Sequence, residues 1–226
     1  MTREKKDALF DGFSAVAKAL ASGRRAEILD VLAQGPRSVD DVAREVDQSV
    51  ANTSRHLRLM AQAGLLRSER RGTQIFYRHS SPRVRGLWRE LRDLAAEQSA
   101  EVERLAAAYL GKRDGLEPVP HDELARRLRR GDVVVIDVRP SAEFGNGHIA
   151  GARSIPHDEL AKRLKTIPKD VDVVAYCRGP YCVYADDAVR TLRSKGFRAS
   201  RLEDGFPEWA DAGRPVSTGV SEGGRR

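Results

Sequence analysis

Residues 111–120 of this 226-residue chain read Gly-Lys-Arg-Asp-Gly-Leu-Glu-Pro-Val-Pro. Glycine, proline and charge fill almost all of this stretch, and the apolar pattern differs on its two sides. Before it, apolar residues recur every three or four positions. After it, short β-branched runs alternate with helical spacing. A change of pattern across a stretch rich in Gly, Pro and charge marks a domain boundary. Two domains are therefore expected, over 1–110 and 120–218, with a linker at 111–119 and a disordered tail at 219–226. The length agrees, since domains of about 100–150 residues are the commonest size.

In the first half, Phe10, Phe13, Val16, Ala17 and Leu20 predict a helix over 7–20. Ser22 is placed to cap a second helix, which Gly35-Pro36 ends. Ser38-Val39-Asp40-Asp41 resembles a capping box that opens a short third helix to Val46. Asp47-Gln48 makes a turn, Ser49 caps a fourth helix over 50–63, and Gly64 ends it. Two short helices across a tight turn are the helix-turn-helix pattern, whose second helix enters the major groove of DNA. Its inner face is expected to be Val50, Thr53, Leu57 and Met60. Asn52, Ser54, Arg55 and Arg58 then face outward, where Arg can pair with guanine and Asn with adenine. The alternative is an ordinary surface helix.

Two strand-like runs flank Arg71-Gly72-Thr73, which predicts a hairpin. Following that fourth helix it makes a wing, with Arg70 and Arg71 reaching phosphates or the minor groove and Thr73 and Gln74 beside them. Charge supports a nucleic-acid partner. The chain carries a formal +7, and residues 55–92 hold ten arginines against two glutamates. A merely solvated face would intersperse the signs. From Pro82, Leu87, Leu91, Leu94, Gln98, Val102, Leu105 and Tyr109 step by three and four, with Trp88 widening the stripe. This predicts one long helix over 82–110 and a homodimer interface along it.

The second half predicts a helix over 122–130, a strand over 133–138, a helix over 158–164, a strand over 171–176, a helix over 185–195, a strand over 199–202 and a helix over 206–212. Such alternation means a central parallel sheet covered on both faces. Ligands bind beyond the strand carboxyl ends in such sheets. Asp137 and Arg139 lie there after the first strand. Cys177-Arg178-Gly179-Pro180-Tyr181-Cys182 lies there after the second, and it holds both cysteines of the chain. A thiol between a strand and a helix N-terminus sits where backbone N–H groups favour a thiolate. The alternative is two small buried residues in a tight turn. Two cysteines do not make a disulfide scaffold, which fits a reducing cytoplasm. No apolar run reaches the roughly 20 residues of a membrane span, and no apolar segment behind the N-terminal Met suggests a signal peptide. No membrane partner, cofactor or metal is expected.

Ser54-Arg55-His56-Leu57, Ala63-Gly64-Leu65-Leu66 and the wing from Gly72 to Tyr77 resemble the ArsR family of winged-helix repressors over residues 7–110. The resemblance implies a homodimer on a palindromic double-stranded operator. The family's thiolate metal site needs cysteines in the third helix, where this chain has Val42-Ala43-Arg44-Glu45-Val46-Asp47. Residues 87–110 contain no histidine for a carboxylate–histidine site either. Asp137-Val138-Arg139-Pro140, Glu143-Phe144, Gly147 to Ala152, Ile155-Pro156, the cysteine loop, Gly205-Phe206-Pro207-Glu208-Trp209 and Gly213 to Val216 resemble a rhodanese domain over about 116–218. That implies a sulfur carrier in which Cys177 takes a sulfane sulfur as a persulfide. Loop N–H groups would stabilise it, and Arg178 would attract an anionic donor such as thiosulfate or polysulfide. Asp137 and Arg139 would hold the loop and strands, and Glu143 and His148 the turn after the first strand. Phosphatase relatives use one more loop residue closed by Arg; position 183 is Val, which excludes phosphate chemistry.

Cys182 stands where many such domains have Arg, Ser or Thr. A second thiol beside a persulfide can displace hydrosulfide and leave a Cys177–Cys182 disulfide; alternatively Cys182 merely packs. The expected architecture is a mainly α winged helix-turn-helix domain followed by an α/β rhodanese-like domain. The expected function is a repressor that senses reactive sulfur or oxidants through Cys177. The alternatives are a weak thiosulfate or persulfide sulfurtransferase with an autoregulatory DNA-binding domain, and an inert rhodanese ligand-binding module.

Overall fold

The computed structural model describes residues 2–219. It divides into two compact units, Met1–Gln98 and Ser99–Arg226. In the first unit the order is α1 (Arg3–Leu20), α2 (Gly23–Leu32), β1 (Arg37–Ser38), α3 (Val39–Glu45), α4 (Val50–Gln62), β2 (Leu66–Arg71), β3 (Gln74–His79) and α5 (Pro82–Gln98). The caps read from the sequence close α3 and α4. Ser38 accepts from the Asp41 amide and Ser49 from the Asn52 amide, which satisfies N–H groups that the first turn leaves without helical partners. Between them, Asp47 takes a left-handed conformation (φ 48°), and Gln48 N–H donates to Ala43 O at 2.9 Å. This ends α3 and turns the chain into α4.

Ile28, Leu29, Leu32, Val42, Leu57, Met60, Leu66 and Tyr77 form the apolar centre of this unit. Thr53, Leu57 and Met60 face it, but Val50 is 48% exposed. Val50 is the first residue of α4 and stands beyond the edge of that core, so helical phase alone does not bury it. β2 and β3 form the wing, paired from Leu66–His79 to Arg71–Gln74 around a two-residue Gly72-Thr73 turn. Trp88 packs on the unit's own core and donates to Asp30 Oδ1 at 2.9 Å, so it belongs to that core rather than to the stripe of α5.

The second unit begins with α6 (Ala100–Leu110). The single helix expected over 82–110 is therefore two. Ser99 leaves the helical conformation and accepts from the Val102 amide at 3.3 Å, starting a new helix with Glu101 and Glu103 in its first turn. Then follow β4 (Pro118–Val119), α7 (His121–Arg130), β5 (Val133–Asp137), α8 (Ser141–Asn146), β6 (His148–Ile149), β7 (Arg153–Ser154), α9 (Leu160–Arg163), β8 (Asp172–Cys177), α10 (Tyr184–Ser194), β9 (Ala199–Gly205), α11 (Phe206–Asp211) and β10 (Val216–Ser217).

Five strands form a parallel sheet in the order β4-β9-β8-β5-β7. Alternate residues of β8 serve its two faces. Val173, Ala175 and Cys177 join Ala188, Val189 and Leu192 of α10, while Val174 and Tyr176 join Leu124, Phe144 and Trp209. The stretch expected to be a linker is bound into this unit: Pro118 and Val119 pair with β9, and Leu116 is buried in the same apolar cluster as Cys177. Its composition masked these contacts, a two-residue strand pairing and one buried leucine. Of the expected tail, Gly219 N–H donates to Gly145 O at 2.9 Å; 220–226 lie outside the described residues. Among the described residues no helix is long and apolar enough to cross a membrane.

Candidate functional sites

In the first unit, Asn52, Arg55 and Arg58 are exposed on α4 and Ser54 is half-buried. Positions 52, 55 and 58 recur at helical spacing, so they share the side opposite Thr53, Leu57 and Met60. Asn52 Nδ2 donates to Gln48 Oε1 at 3.1 Å, and Arg58 Nε to Ser54 O at 3.3 Å. Arg70, Arg71, Thr73 and Gln74 are exposed at the wing tip. Arg70 Nε donates to Gly72 O, and Arg71 lies against the Phe76 ring and pairs with Glu69 at 3.1 Å. That carboxylate is held below its usual range by its hydrogen bond to Arg71. The pair is exposed, and such pairs cost little to exchange for another anion. A second exposed feature is apolar: Leu9, Phe10 and Phe13 on α1, and Leu87, Leu91 and Leu94 on α5.

In the second unit, β8 carries Cys177 to its end, where the β8–β9 register shifts between Ala175 and Cys177. Cys177 is 1% exposed and Cys182 is partly buried. Their sulfurs are bonded, with Cα atoms 6.3 Å apart, and Cys182 N–H donates to Gly179 O at 3.2 Å to close the turn. Gly205 passes so close to this turn that a Cβ there would overlap the backbone of Arg178 and Gly179. The loop thus depends on a glycine 26 residues downstream for its room.

Arg178 does not stand open to an anion. Its Nη2 donates to Glu143 Oε1 at 2.6 Å and its Nε to both Glu143 oxygens at 3.0 and 3.1 Å. The Glu143 side chain is fully buried. A buried carboxylate demands a charged partner, so Arg178 fastens the loop to α8. Asp137 and Arg139 are both 0% exposed; Arg139 Nη2 donates to Asp137 Oδ2 at 2.6 Å and to Gly147 O at 2.8 Å, and its guanidinium lies over Phe206. Burial pushes this guanidinium down, and the Asp137 charge and hydrogen bonds more than offset it, so it stays a cation. Burial raises the Tyr176 phenol, with Asp137 adding to the effect, and its oxygen accepts from the Ile149 amide. His148 stacks on Phe144 and its Nδ1 lies 2.9 Å from Phe144 O.

Two contacts of the loop have no counterpart in the sequence reading. Arg113 Nη2 donates to Pro180 O at 3.1 Å, and its Nε to Asp186 Oδ2 at 2.6 Å. Asp186 sits in the first turn of α10 and is almost fully buried. An acid just after a loop is a readable helix-start signal; an arginine in a polar connection gives none.

Comparison with known proteins finds the same two parts. Residues 20–69 match a helix-turn-helix domain model, and residues 120–212 a rhodanese-like domain model. The HTH-type transcriptional regulator Rv0324 of Mycobacterium tuberculosis is 43% identical over 220 residues, covering 97% of this chain and 96% of the relative. A sulfurtransferase of Allochromatium vinosum is 35% identical over 100 residues, 43% of this chain and 92% of its own length. Among solved structures, the homodimeric winged helix-turn-helix DNA-binding domain Mb0332 of Mycobacterium bovis is 36% identical. It covers 43% of this chain and 90% of its own, with a TM-score of 0.41.

Proposed function

Because this chain belongs to the family of HTH-type transcriptional regulators and carries a rhodanese-like domain as well, we propose that it is a repressor whose cysteine loop responds to reactive sulfur or oxidants. The observation that carries this reading is the Cys177–Cys182 pair, two bonded sulfurs in a six-residue loop that Arg178 ties to α8 and that leads into α10. α4 takes the major groove through Asn52, Ser54, Arg55 and Arg58. Arg70, Arg71, Thr73 and Gln74 track the adjacent backbone. The exposed leucines of α5 and the Leu9, Phe10 and Phe13 patch of α1 cover a second copy of the chain, which matches a palindromic operator.

The chemistry starts from the reduced loop. The Cys177 thiolate attacks the outer sulfur of thiosulfate; the S–S bond breaks, sulfite leaves with the electron pair, and Cys177 holds the sulfur as a persulfide. A polysulfide reacts in the same way and leaves shortened by one sulfur. The Cys182 thiolate then attacks Cys177 Sγ, the outer sulfur leaves as hydrosulfide, and the disulfide forms. The sulfane sulfur is reduced and the two thiols are oxidised. A peroxide reaches the same state: the Cys177 thiolate attacks a peroxide oxygen, the O–O bond breaks and hydroxide or alkoxide leaves, and Cys182 then displaces water from the resulting sulfenic acid to form the disulfide.

A second reading, a thiosulfate-type sulfurtransferase with an autoregulatory DNA-binding domain, is favoured by the 35% identity to a protein named as a sulfurtransferase. The Arg178–Glu143 pair removes the loop's own cation from anion capture and bears on both readings alike, since each begins with attack on an anionic donor. The two readings separate in a pair of assays on wild type and Cys177→Ser. One follows sulfur transfer from thiosulfate to cyanide. The other follows binding to a duplex enriched by the reduced wild-type protein from a random-sequence library, with and without polysulfide. The sensor reading expects a polysulfide-dependent change in affinity that Cys177→Ser abolishes. Unchanged wild-type affinity sinks it, and turnover in that case favours the enzyme.

A further inference from the structure

We infer that Arg113 is a positioning residue that ties the state of the Cys177–Cys182 loop to the segment between α6 and β4. The inference rests on the redox reading of that loop and adds the element through which its state is felt.

Arg113 touches the loop at Pro180, between the two cysteines, through the hydrogen bond to the Pro180 carbonyl at 3.1 Å. A change at either sulfur alters the path of the residues between them, and the Pro180 carbonyl moves with that path. The other arm of Arg113 holds Asp186 Oδ2 at 2.6 Å, and the Asp186 side chain is 1% exposed. That carboxylate is the fixed point, because a buried charge deprived of its partner is costly. Arg113 therefore bridges one part that moves with the sulfur chemistry and one that does not.

The segment it belongs to is held by a row of similar contacts. Arg190 of α10 donates to Lys112 O at 2.6 Å, Arg193 of α10 donates to Gly115 O, and Arg201 of β9 donates to Leu116 O at 3.3 Å. Leu116 lies in the same apolar cluster as Cys177. Residues 112, 113, 115 and 116 are thus fastened to the loop, to the helix that follows it, or to the strand beside it. Upstream, the segment continues directly into α6, which starts at the break in the helical chain at Ser99.

A second arrangement is also within reach. Arg201 Nε lies 3.5 Å from Asp186 Oδ1. Burial and the neighbouring Arg113 charge push the Arg201 guanidinium down, the mark of two cations crowding one carboxylate. When the loop releases Arg113, Arg201 can take Asp186 without leaving that carboxylate alone. Discrete alternatives of this kind are what a switch requires, since packed interiors move between arrangements rather than deforming smoothly.

The test is hydrogen–deuterium exchange on the full chain, reduced with dithiothreitol or oxidised with diamide. Mass measurement of the alkylated protein reports the Cys177–Cys182 bond. In wild type, oxidation should change exchange in two places: loop residues 178–183 and segment 111–117, the latter by roughly fivefold or more, the low end of ordinary coupling. In Arg113→Met/Asp186→Asn, which leaves no buried carboxylate unpaired, the bond should still form and the loop should still respond. The response of 111–117 should be lost. Arg113→Lys keeps a cation on Asp186 but cannot span both acceptors, and it should behave like the double variant. If 111–117 responds in either variant as in wild type, or fails to respond in wild type whose loop does, Arg113 is not the link, and the loop reading stands. If the bond does not form in wild type, the loop reading falls and takes the inference with it.

Discussion

In the winged-helix unit, Arg55, Arg58, Arg70 and Arg71 lie exposed, their contacts being backbone carbonyls, the exposed Glu69 and the Phe76 ring. In the rhodanese-like unit, Arg139 and Arg178 are held against Asp137 and Glu143, whose side chains are fully buried. The same side chain therefore has two uses. On the surface it is a solvated cation whose contacts within the chain cost little to exchange. In the interior it is the permanent counter-charge of a carboxylate and fixes the loops at the ends of β5 and β8. An arginine's role is thus set less by its charge than by whether its nearest acid is in water.

The largest test of that contrast is Arg139→Met. It leaves Asp137 charged and buried, and the loss of stability should be about 3–5 kcal/mol, read from chemical denaturation. Arg71→Ala, by comparison, should leave the unfolding midpoint where it is. Equal effects from the two would erase the distinction. Next comes Gly205→Ala, which forces the backbone at Arg178 and Gly179 to shift; overpacking of this kind costs about 1–3 kcal/mol. It should also slow formation of the Cys177–Cys182 bond in a diamide time course, and normal rate and stability would mean that the loop has slack. On the exposed side, Arg55→Ala should weaken binding to the enriched duplex by about tenfold, within the range of one lost bidentate base contact, with no change in Cys177 alkylation. Normal binding by that variant would overturn the assignment of α4. The smallest effect is expected of Arg70→Ala: a nearly uniform weakening over all sequences and a salt dependence reduced by about one counterion.

How far the sequence foretold these sites follows the same division. The exposure of the surface arginines and the starts of α3 and α4 were legible, because unbalanced arginines over residues 55–92 and the serine caps at Ser38 and Ser49 are local signals. The alternation of helix and strand was legible too, since β-branched runs such as residues 171–175 need burial on both faces. The interior use was legible only for Asp137 and Arg139, two residues apart and expected to hold the loop and strands. Arg178 has its partner 35 residues away and Arg113 has Asp186 73 residues away, and no spacing rule reaches that far. The break at Ser99 was readable and missed. Leu87 to Tyr109 keep helical spacing across it, but a serine followed by Glu101 and Glu103 is also a helix start.

The parallel sheet ends on both sides in strands of only two residues, β4 and β7. A long bare edge would offer a row of open backbone groups to any neighbouring chain, and so a route to amyloid-like stacking. Here each edge offers too few such groups to template another strand. A molecule that exposes leucines and phenylalanines elsewhere on its surface thus keeps this sheet from becoming a seed for aggregates.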